Sequence, residues 1–152
     1  MVSISRRFLV SALAAFAITA LAPASASAAD SEPLRVVATT GMIADAARRI
    51  GGEQVEVRGL MGPGVDPHAF RQTRSDIAAM ATAELVLWHG LYLEAQMEDF
   101  LLELGERQRV VAVGESVPEE QRLGHDDYSE KYDPHLWMDP RLWSSVVLGV
   151  RD

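Results

Sequence analysis

Short apolar runs rich in β-branched residues alternate along the chain with segments whose apolar residues recur every three or four positions. The runs predict four strands, at residues 34–39, 55–57, 85–88 and 110–113. Strand–helix alternation favours parallel pairing through right-handed crossovers, with helices covering both faces of the sheet. The sequence therefore predicts an open, parallel, four-stranded α/β sheet flanked by helices.

Two of the intervening helices have clear boundary signals. The first is expected to begin at Gly41 and to end at the pair Gly51-Gly52, which cannot sustain a helix. The last is expected to begin with Asp139 as its cap and Pro140 in its first turn. The first helix places on one face the apolar residues Met42, Ile43, Ala46, Ala47 and Ile50.

The other two helices are predicted mainly from their apolar spacing. Ser75 is the expected cap of a helix that begins at Asp76. Its inward face is predicted to hold Ile77, Met80 and Ala81. The next helix is predicted from the apolar spacing of Leu93, Met97, Phe100, Leu101 and Leu104. From residue 114 to residue 133 the chain is polar and turn-rich, without periodicity.

Residues 1–28 are typical of a secretory signal peptide. Arg6 and Arg7 precede an apolar stretch at residues 8–22, and small residues then offer a cleavage site before Ala29. The apolar stretch is shorter than the ~20 residues that span a bilayer. The chain contains no cysteine, so neither a disulfide nor a lipid-bearing cysteine is expected. The sequence predicts a soluble periplasmic protein without a membrane anchor.

The charge balance argues against one class of partner. The chain has 14 Lys and Arg against 22 Asp and Glu, and the signal peptide carries two of the arginines. Nucleic-acid binding requires a basic surface, so no nucleic-acid partner is expected.

The tripeptide Asp-Pro-His occurs twice, ending at His68 and at His135. Each copy follows a predicted strand, and binding sites in parallel sheets form beyond the carboxyl ends of the strands. Histidine is the commonest metal ligand, and a preceding proline stiffens the backbone that carries it. The alternative interpretation is that both are ordinary loop histidines beside turn-forming Asp-Pro pairs, and the residues alone leave these two interpretations open.

Other polar residues near the two tripeptides are weaker candidates. His89 follows the third predicted strand and either supports a ligand or is merely packed, whereas His125 is expected at the surface. Asp66, Asp133 and Asp139 are expected to cap turns or to support the ligands. Zinc requires about four ligands, so two histidines do not complete a site.

Three collinear segments resemble a known family and cover nearly all of the chain after the signal peptide. They read TTGMIADAARRIGGEQVEVRGLMGPGVDPHAF, RSDIAAMATAELVLWHGLYLEAQMEDFLLEL and YDPHLWMDPRLW. The resemblance is to the metal-binding solute-binding proteins of bacterial ABC transporters (bacterial solute-binding protein family 9). Members of that family have two α/β lobes joined by one long helix, with the metal held between the lobes.

The resemblance implies a domain organisation and a ligand set. Residues 29–138 correspond to the N-terminal metal-binding lobe and residues 139–152 to the start of the linking helix, while the C-terminal lobe is absent from these 152 residues. His68 and His135 match the two ligands of the first lobe, and the remaining ligands come from the second lobe.

The implied function is capture of a divalent metal ion and its delivery to the membrane permease of an ABC transporter, by a monomeric protein that is not an enzyme. Within the resembled family, the segment GLMGPGVDPH is more similar to the manganese and iron members, and zinc members often carry a histidine-rich loop where residues 119–132 have a single histidine. Manganese is therefore favoured, with zinc or iron as alternatives. A periplasmic metallohydrolase is the competing hypothesis, although the chain lacks an HExxH motif and a nucleophile elbow. A truncated, non-functional lobe is the third.

Overall fold

The computed structural model of the protein describes residues 32–125 and 128–152, so the expected signal peptide lies outside the described residues. Within them, four strands form one sheet: β1 (Leu34–Ala38), β2 (Val55–Gly59), β3 (Leu85–Trp88) and β4 (Val110–Ala112). All pairings are parallel, and the spatial order is β2-β1-β3-β4. This arrangement confirms the predicted open parallel α/β sheet.

In the described residues, four α-helices connect and follow the strands. They are α1 (Gly41–Gly51), α2 (Arg74–Thr82), α3 (Glu98–Gly105) and α4 (Pro140–Arg151). Short 3₁₀ turns occur at Gly52–Gln54, Val113–Ser116, Glu119–Gln121 and Leu136–Met138. In the part of the chain that the structure describes, no helix combines the length and the apolar character required to cross a membrane.

The central strands β1 and β3 are buried on both sides. Val37 of β1 stands opposite Arg58 of β2 and Val86 of β3, and Val86 stands opposite Val110 of β4. The last three residues of β1 are all buried, as expected for a parallel strand with helices on each face.

Two apolar cores lie on opposite faces of the sheet. On one face, Val36 and Leu87 pack with Ile43 of α1 and Val146 of α4. On the other face, Val37 and Val86 pack with Met80 of α2, Leu101 of α3 and Met97, which directly precedes α3. The sheet is therefore the middle layer of three.

The start of α2 differs from the prediction. Thr73, and not Ser75, is the cap, and the helix begins at Arg74. Thr73 Oγ1 accepts from the backbone N–H of Asp76 at 3.3 Å, and Asp76 Oδ2 accepts from the backbone N–H of Thr73 at 2.9 Å, which forms a capping box. The side chains that face inward also differ in part from the prediction. Met80 is buried, but Ile77 and Ala81 are exposed, so their predicted inward placement is wrong.

The segment before α3 is a series of turns and not the expected helical turn. The helix was predicted from Leu93, but residues 91–97 form turns and α3 begins only at Glu98. Gly90, Leu91 and Tyr92, at the start of this segment, have positive φ angles of 78°, 52° and 68°. Leu93 and Met97 are nonetheless buried, as their spacing predicted.

The other expectations are largely confirmed. α1 ends at Gly51, with Gly52 at φ 54°, and Asp139 caps α4 through a 2.8 Å bond from the backbone N–H of Arg141. Ile50, predicted to face the core, is 42% exposed because it lies in the last turn of α1. Among its described residues, the polar segment at residues 114–133 contains 3₁₀ turns and an isolated antiparallel bridge between Gly124 and Tyr132, and the 2.8 Å ion pair of Lys131 with Glu98 ties it to α3.

Candidate metal centre

The two Asp-Pro-His tripeptides meet at the edge where the strands end. His68 lies in the loop after β2, and His135 lies in the long segment after β4. Their ring centroids are 5.6 Å apart, with the ring planes tilted by 48°. The chain reverses its direction of travel across the sheet between β1 and β3, and such switch points are where open α/β sheets form ligand sites. The structure thus brings both candidate ligands together.

Each aspartate of the tripeptides folds its own loop back on itself. Asp66 Oδ1 accepts from the backbone N–H of His68 at 2.9 Å, and Asp133 Oδ1 accepts from that of His135 at 2.9 Å. This is the Asx turn, in which the side chain holds the backbone two residues on. The same local geometry therefore presents both histidines, in agreement with the turn-capping role expected for these aspartates.

Asp133 also orients the ring of His135. Its Oδ1 lies 2.5 Å from His135 Nδ1. Burial raises the pKa of Asp133, but hydrogen bonds from the backbone and ring of His135 outweigh that effect, and the pKa is lowered overall. A carboxylate that accepts from Nδ1–H leaves the lone pair on Nε2, the atom with which such a histidine binds a metal.

The two histidines are an incomplete ligand set. Across residues 32–125 and 128–152, no three His, Asp or Glu side chains are grouped so that they could hold a metal ion. Two nitrogen ligands leave two or more positions of a metal to other groups.

Aromatic and apolar residues surround the histidine pair. The ring of Trp137 lies 5.1 Å from that of His135, and Trp137 also lines an apolar cleft of about 420 Å³ with Met61 and Pro67. Trp137 therefore forms a wall beside the histidine pair.

His89 lies beneath this layer and is fully buried. Its ring packs edge-on against Trp137 at 5.7 Å, and neither ring nitrogen makes a hydrogen bond within the described residues. Burial lowers the pKa of His89 to about 4, the backbone of Pro134 opposes this in part, and the charge of His135 adds to it. His89 is therefore a neutral packing residue under the second tripeptide.

His125 is half-buried, whereas the sequence led us to expect it at the surface. Its backbone N–H donates to the carbonyl of Lys131 at 2.9 Å, and its ring packs edge-on against that of Tyr128, with the ring centroids 4.9 Å apart.

One buried acid was missed by the sequence reasoning. Glu94 is fully buried and accepts hydrogen bonds from Thr39 Oγ1 at 2.6 Å and from the backbone N–H of His89 at 2.8 Å. It thus lies between the ends of β1 and β3. The available signal was a charged residue between the apolar Leu93 and Met97, on a segment otherwise expected to pack inward.

Comparison with known proteins gives a consistent set of relatives. A family model described as the periplasmic zinc-uptake complex component A (ZnuA) matches residues 36–152. The chain is 41% identical over 134 residues to the manganese-binding lipoprotein MntA of Bacillus subtilis, covering 88% of this chain and 44% of that protein. It is 45% identical over 124 residues to the zinc-binding protein TroA of Treponema pallidum, covering 82% of this chain and 39% of TroA.

Solved structures share the fold. The periplasmic zinc binding protein TroA from Treponema pallidum superposes with a TM-score of 0.73 at 43% identity, covering 78% of this chain and 42% of that one. Fe(III)-bound YtgA from Chlamydia trachomatis superposes with a TM-score of 0.66 at 28% identity, covering 77% and 41%. The chain spans less than half the length of the relatives it matches.

Proposed function

Since the chain belongs to the ZnuA family of periplasmic zinc-uptake components, we propose that it is the extracytoplasmic metal-capturing component of an ABC transporter. It binds a divalent metal ion and delivers it to a membrane permease. The observation that carries this proposal is the pair of histidine rings 5.6 Å apart, each presented by the same aspartate turn.

His68 and His135 are the proposed metal ligands. Imidazole nitrogen suits zinc and iron, and manganese prefers oxygen ligands in addition, so the choice among the metals depends on the ligands that complete the site. Manganese is the favoured cargo, since MntA is named as a manganese-binding protein and several further relatives are named as manganese transport lipoproteins. Zinc and iron are the alternatives, because TroA and YfeA are named for these metals.

The proposed domain organisation follows the resemblance. Residues 1–28 are the signal peptide, residues 29–138 form the first lobe, and residues 139–152 begin the helix that links it to a second lobe. The remaining ligands come from that second lobe. Within the described residues only two ligands meet, which is what half of a shared site requires.

The proposed protein is a monomeric transport protein of the periplasm and not an enzyme. Its family is one of transport proteins, and the permease partner follows from relatives named as components of manganese or metal ABC transporters. A metallohydrolase is not favoured by these relatives.

Calorimetry on the full-length, metal-free protein tests the proposal. Mn²⁺ and Zn²⁺ are titrated into the wild type and into His68→Ala, His135→Ala and the control His125→Ala. Removing a residue that supports a metal ligand typically weakens binding by ~10–100-fold. Each ligand variant is expected to weaken binding by more than that, because a bond to the metal itself is removed. The control should bind like the wild type. Unchanged affinity in both ligand variants would overturn the ligand assignment, and a wild type that binds neither metal would overturn the function.

A further inference from the structure

We infer that Glu94 is a positioning residue that joins the bases of the two histidine-bearing loops and thereby sets the spacing of His68 and His135. The inference rests on the proposed function, because it concerns the geometry of that metal site. Glu94 contacts neither His68 nor His135. It acts through Thr39 on the side of His68 and through His89 on the side of His135.

The carboxylate of Glu94 is buried at the centre of the sheet edge. Oε1 accepts from Thr39 Oγ1 at 2.6 Å and from the backbone N–H of His89 at 2.8 Å, while Oε2 accepts from the backbone N–H of Gly90 at 3.2 Å. Burial raises the pKa of Glu94, and these hydrogen bonds counteract the rise. Burying an acid is unfavourable unless its hydrogen bonds are made, and here three donors converge on it.

The first connection runs from Glu94 to the loop of His68. Thr39 follows β1, and its carbonyl accepts from the backbone N–H of Met61 at 3.0 Å. Met61 is the last residue held alongside β1 before the chain turns into the loop that leads to His68. The position of Thr39 therefore fixes where that loop begins.

The second connection runs from Glu94 to His135. The backbone of His89 is held from both sides, since its N–H donates to Glu94 and its carbonyl accepts from the N–H of Gly114 at 2.8 Å. The ring of His89 packs against Trp137 at 5.7 Å, and Trp137 packs against His135 at 5.1 Å. A shift of the His89 backbone is therefore transmitted through two ring contacts to His135.

Glu94 also holds a turn that would not persist by itself. Gly90, Leu91 and Tyr92 occupy the left-handed region, which is unfavourable for the two residues that have a side chain. The bonds from His89 and Gly90 to the carboxylate fix the start of this turn. Without them we expect Leu91 and Tyr92 to leave the left-handed region.

The position of Glu94 explains how the spacing could matter for the metal. β1 and β3 flank the switch point of the sheet, and the two histidine loops approach it from the outer strands β2 and β4. Intrinsic affinities place zinc above manganese, so a site that accepts manganese depends on its geometry. A link between the bases of both loops preserves that geometry.

The test compares metal preference with stability in the full-length, metal-free protein. Glu94→Gln keeps the shape, but its amide group cannot accept at both positions, so a donor faces a donor. Thr39→Val removes the hydroxyl group that donates the shortest of the three hydrogen bonds to Glu94. Leu101→Ala is the control, because it leaves a cavity in the core under α3 and destabilises the fold without touching the Glu94 bonds.

Three quantities are measured: calorimetric affinity for Mn²⁺, calorimetric affinity for Zn²⁺, and the visible absorption spectrum of bound Co²⁺. Glu94→Gln and Thr39→Val are each expected to weaken Mn²⁺ binding by about tenfold, within the range known for outer partners of metal ligands. Zn²⁺ binding should weaken less, so the ratio of the two affinities changes and the Co²⁺ spectrum shifts. The double variant should lose less than the two single losses together, since both substitutions act on the same hydrogen-bonded group around Glu94.

The outcomes separate the inference from the proposed function. One outcome overturns the inference and leaves the proposed function standing. In it the wild type binds metal, Glu94→Gln and Thr39→Val both fold, and both keep the wild-type ratio of Mn²⁺ to Zn²⁺ affinity and the wild-type Co²⁺ spectrum. If Leu101→Ala changes the ratio as much as they do, general destabilisation is the cause and the inference is overturned. If Glu94→Gln does not fold, Thr39→Val decides alone. A wild type that binds no metal overturns both.

Discussion

The burial of His89 predicts that the metal-free protein loses stability in mild acid. The pKa of His89 in the folded protein is lowered from 6.5 to about 4 because its ring is desolvated. Between these two pH values the unfolded chain binds a proton at this residue and the folded protein does not. Protonation then favours unfolding, so the contribution of His89 is fully present above pH 6.5 and is lost as the pH falls toward 4.

The size of the effect follows from the width of that pH interval. Each pH unit over which only the unfolded state is protonated changes the free energy of unfolding by about 1.4 kcal/mol. Between pH 6.5 and about 4 the loss amounts to about 3 kcal/mol, a large part of the ~5–15 kcal/mol that stabilises a typical domain.

Urea unfolding of the metal-free protein at a series of pH values between 4 and 7 measures this loss. His89→Asn removes the titrating ring, so its free energy of unfolding should vary less with pH than that of the wild type. Val86→Ala serves as the matched control, since it creates a cavity in the neighbouring β3 and removes no titrating group. Val86→Ala should have a lower free energy of unfolding than the wild type at every pH, but this free energy should change with pH as steeply as in the wild type. Parallel pH profiles for the wild type and His89→Asn would refute the reasoning.

Three further changes have defined expectations. Asp133→Asn should weaken metal binding by calorimetry about 10–100-fold, because the carboxylate that holds Nδ1 of His135 is replaced by a group that can present the wrong atom. Thr73→Ala should lower the free energy of unfolding by about 1 kcal/mol, seen as a fall in Tm of roughly 5 °C, since it removes the capping box of α2. Gly114→Ala should destabilise by about 2 kcal/mol in urea unfolding, because a Cβ there would lie 2.6 Å from the His89 carbonyl oxygen; a stability equal to the wild type would contradict that close approach.

The sheet and its parallel order could be predicted because they depend on patterns that recur within short segments. Apolar runs marked each strand, and their alternation with helical spacing determined the pairing. The cap of α2 was misassigned because Thr73 and Ser75 are both good caps. Only Thr73 has an acid three residues later, at Asp76, which is the signature of a capping box.

Other features depend on contacts between distant residues and were not readable from the sequence. The turn before α3 departs from the expected helix because Glu94 bonds to Thr39, 55 residues earlier. The approach of His68 to His135 likewise joins residues that are 67 positions apart in the chain and is not set by local spacing. The aspartate turns, in contrast, are local and were anticipated from the tripeptides themselves.

The aspartate turn at each histidine makes the tripeptide a self-contained unit of geometry. The direction of the histidine is determined within three residues, through one bond from its own backbone N–H. The sheet then needs to set only the separation of the two tripeptides. The segments between strand and tripeptide can differ in length, as the short loop after β2 and the long segment after β4 do. Loop length and sequence between strand and tripeptide can therefore diverge among relatives while the two imidazoles keep their orientation.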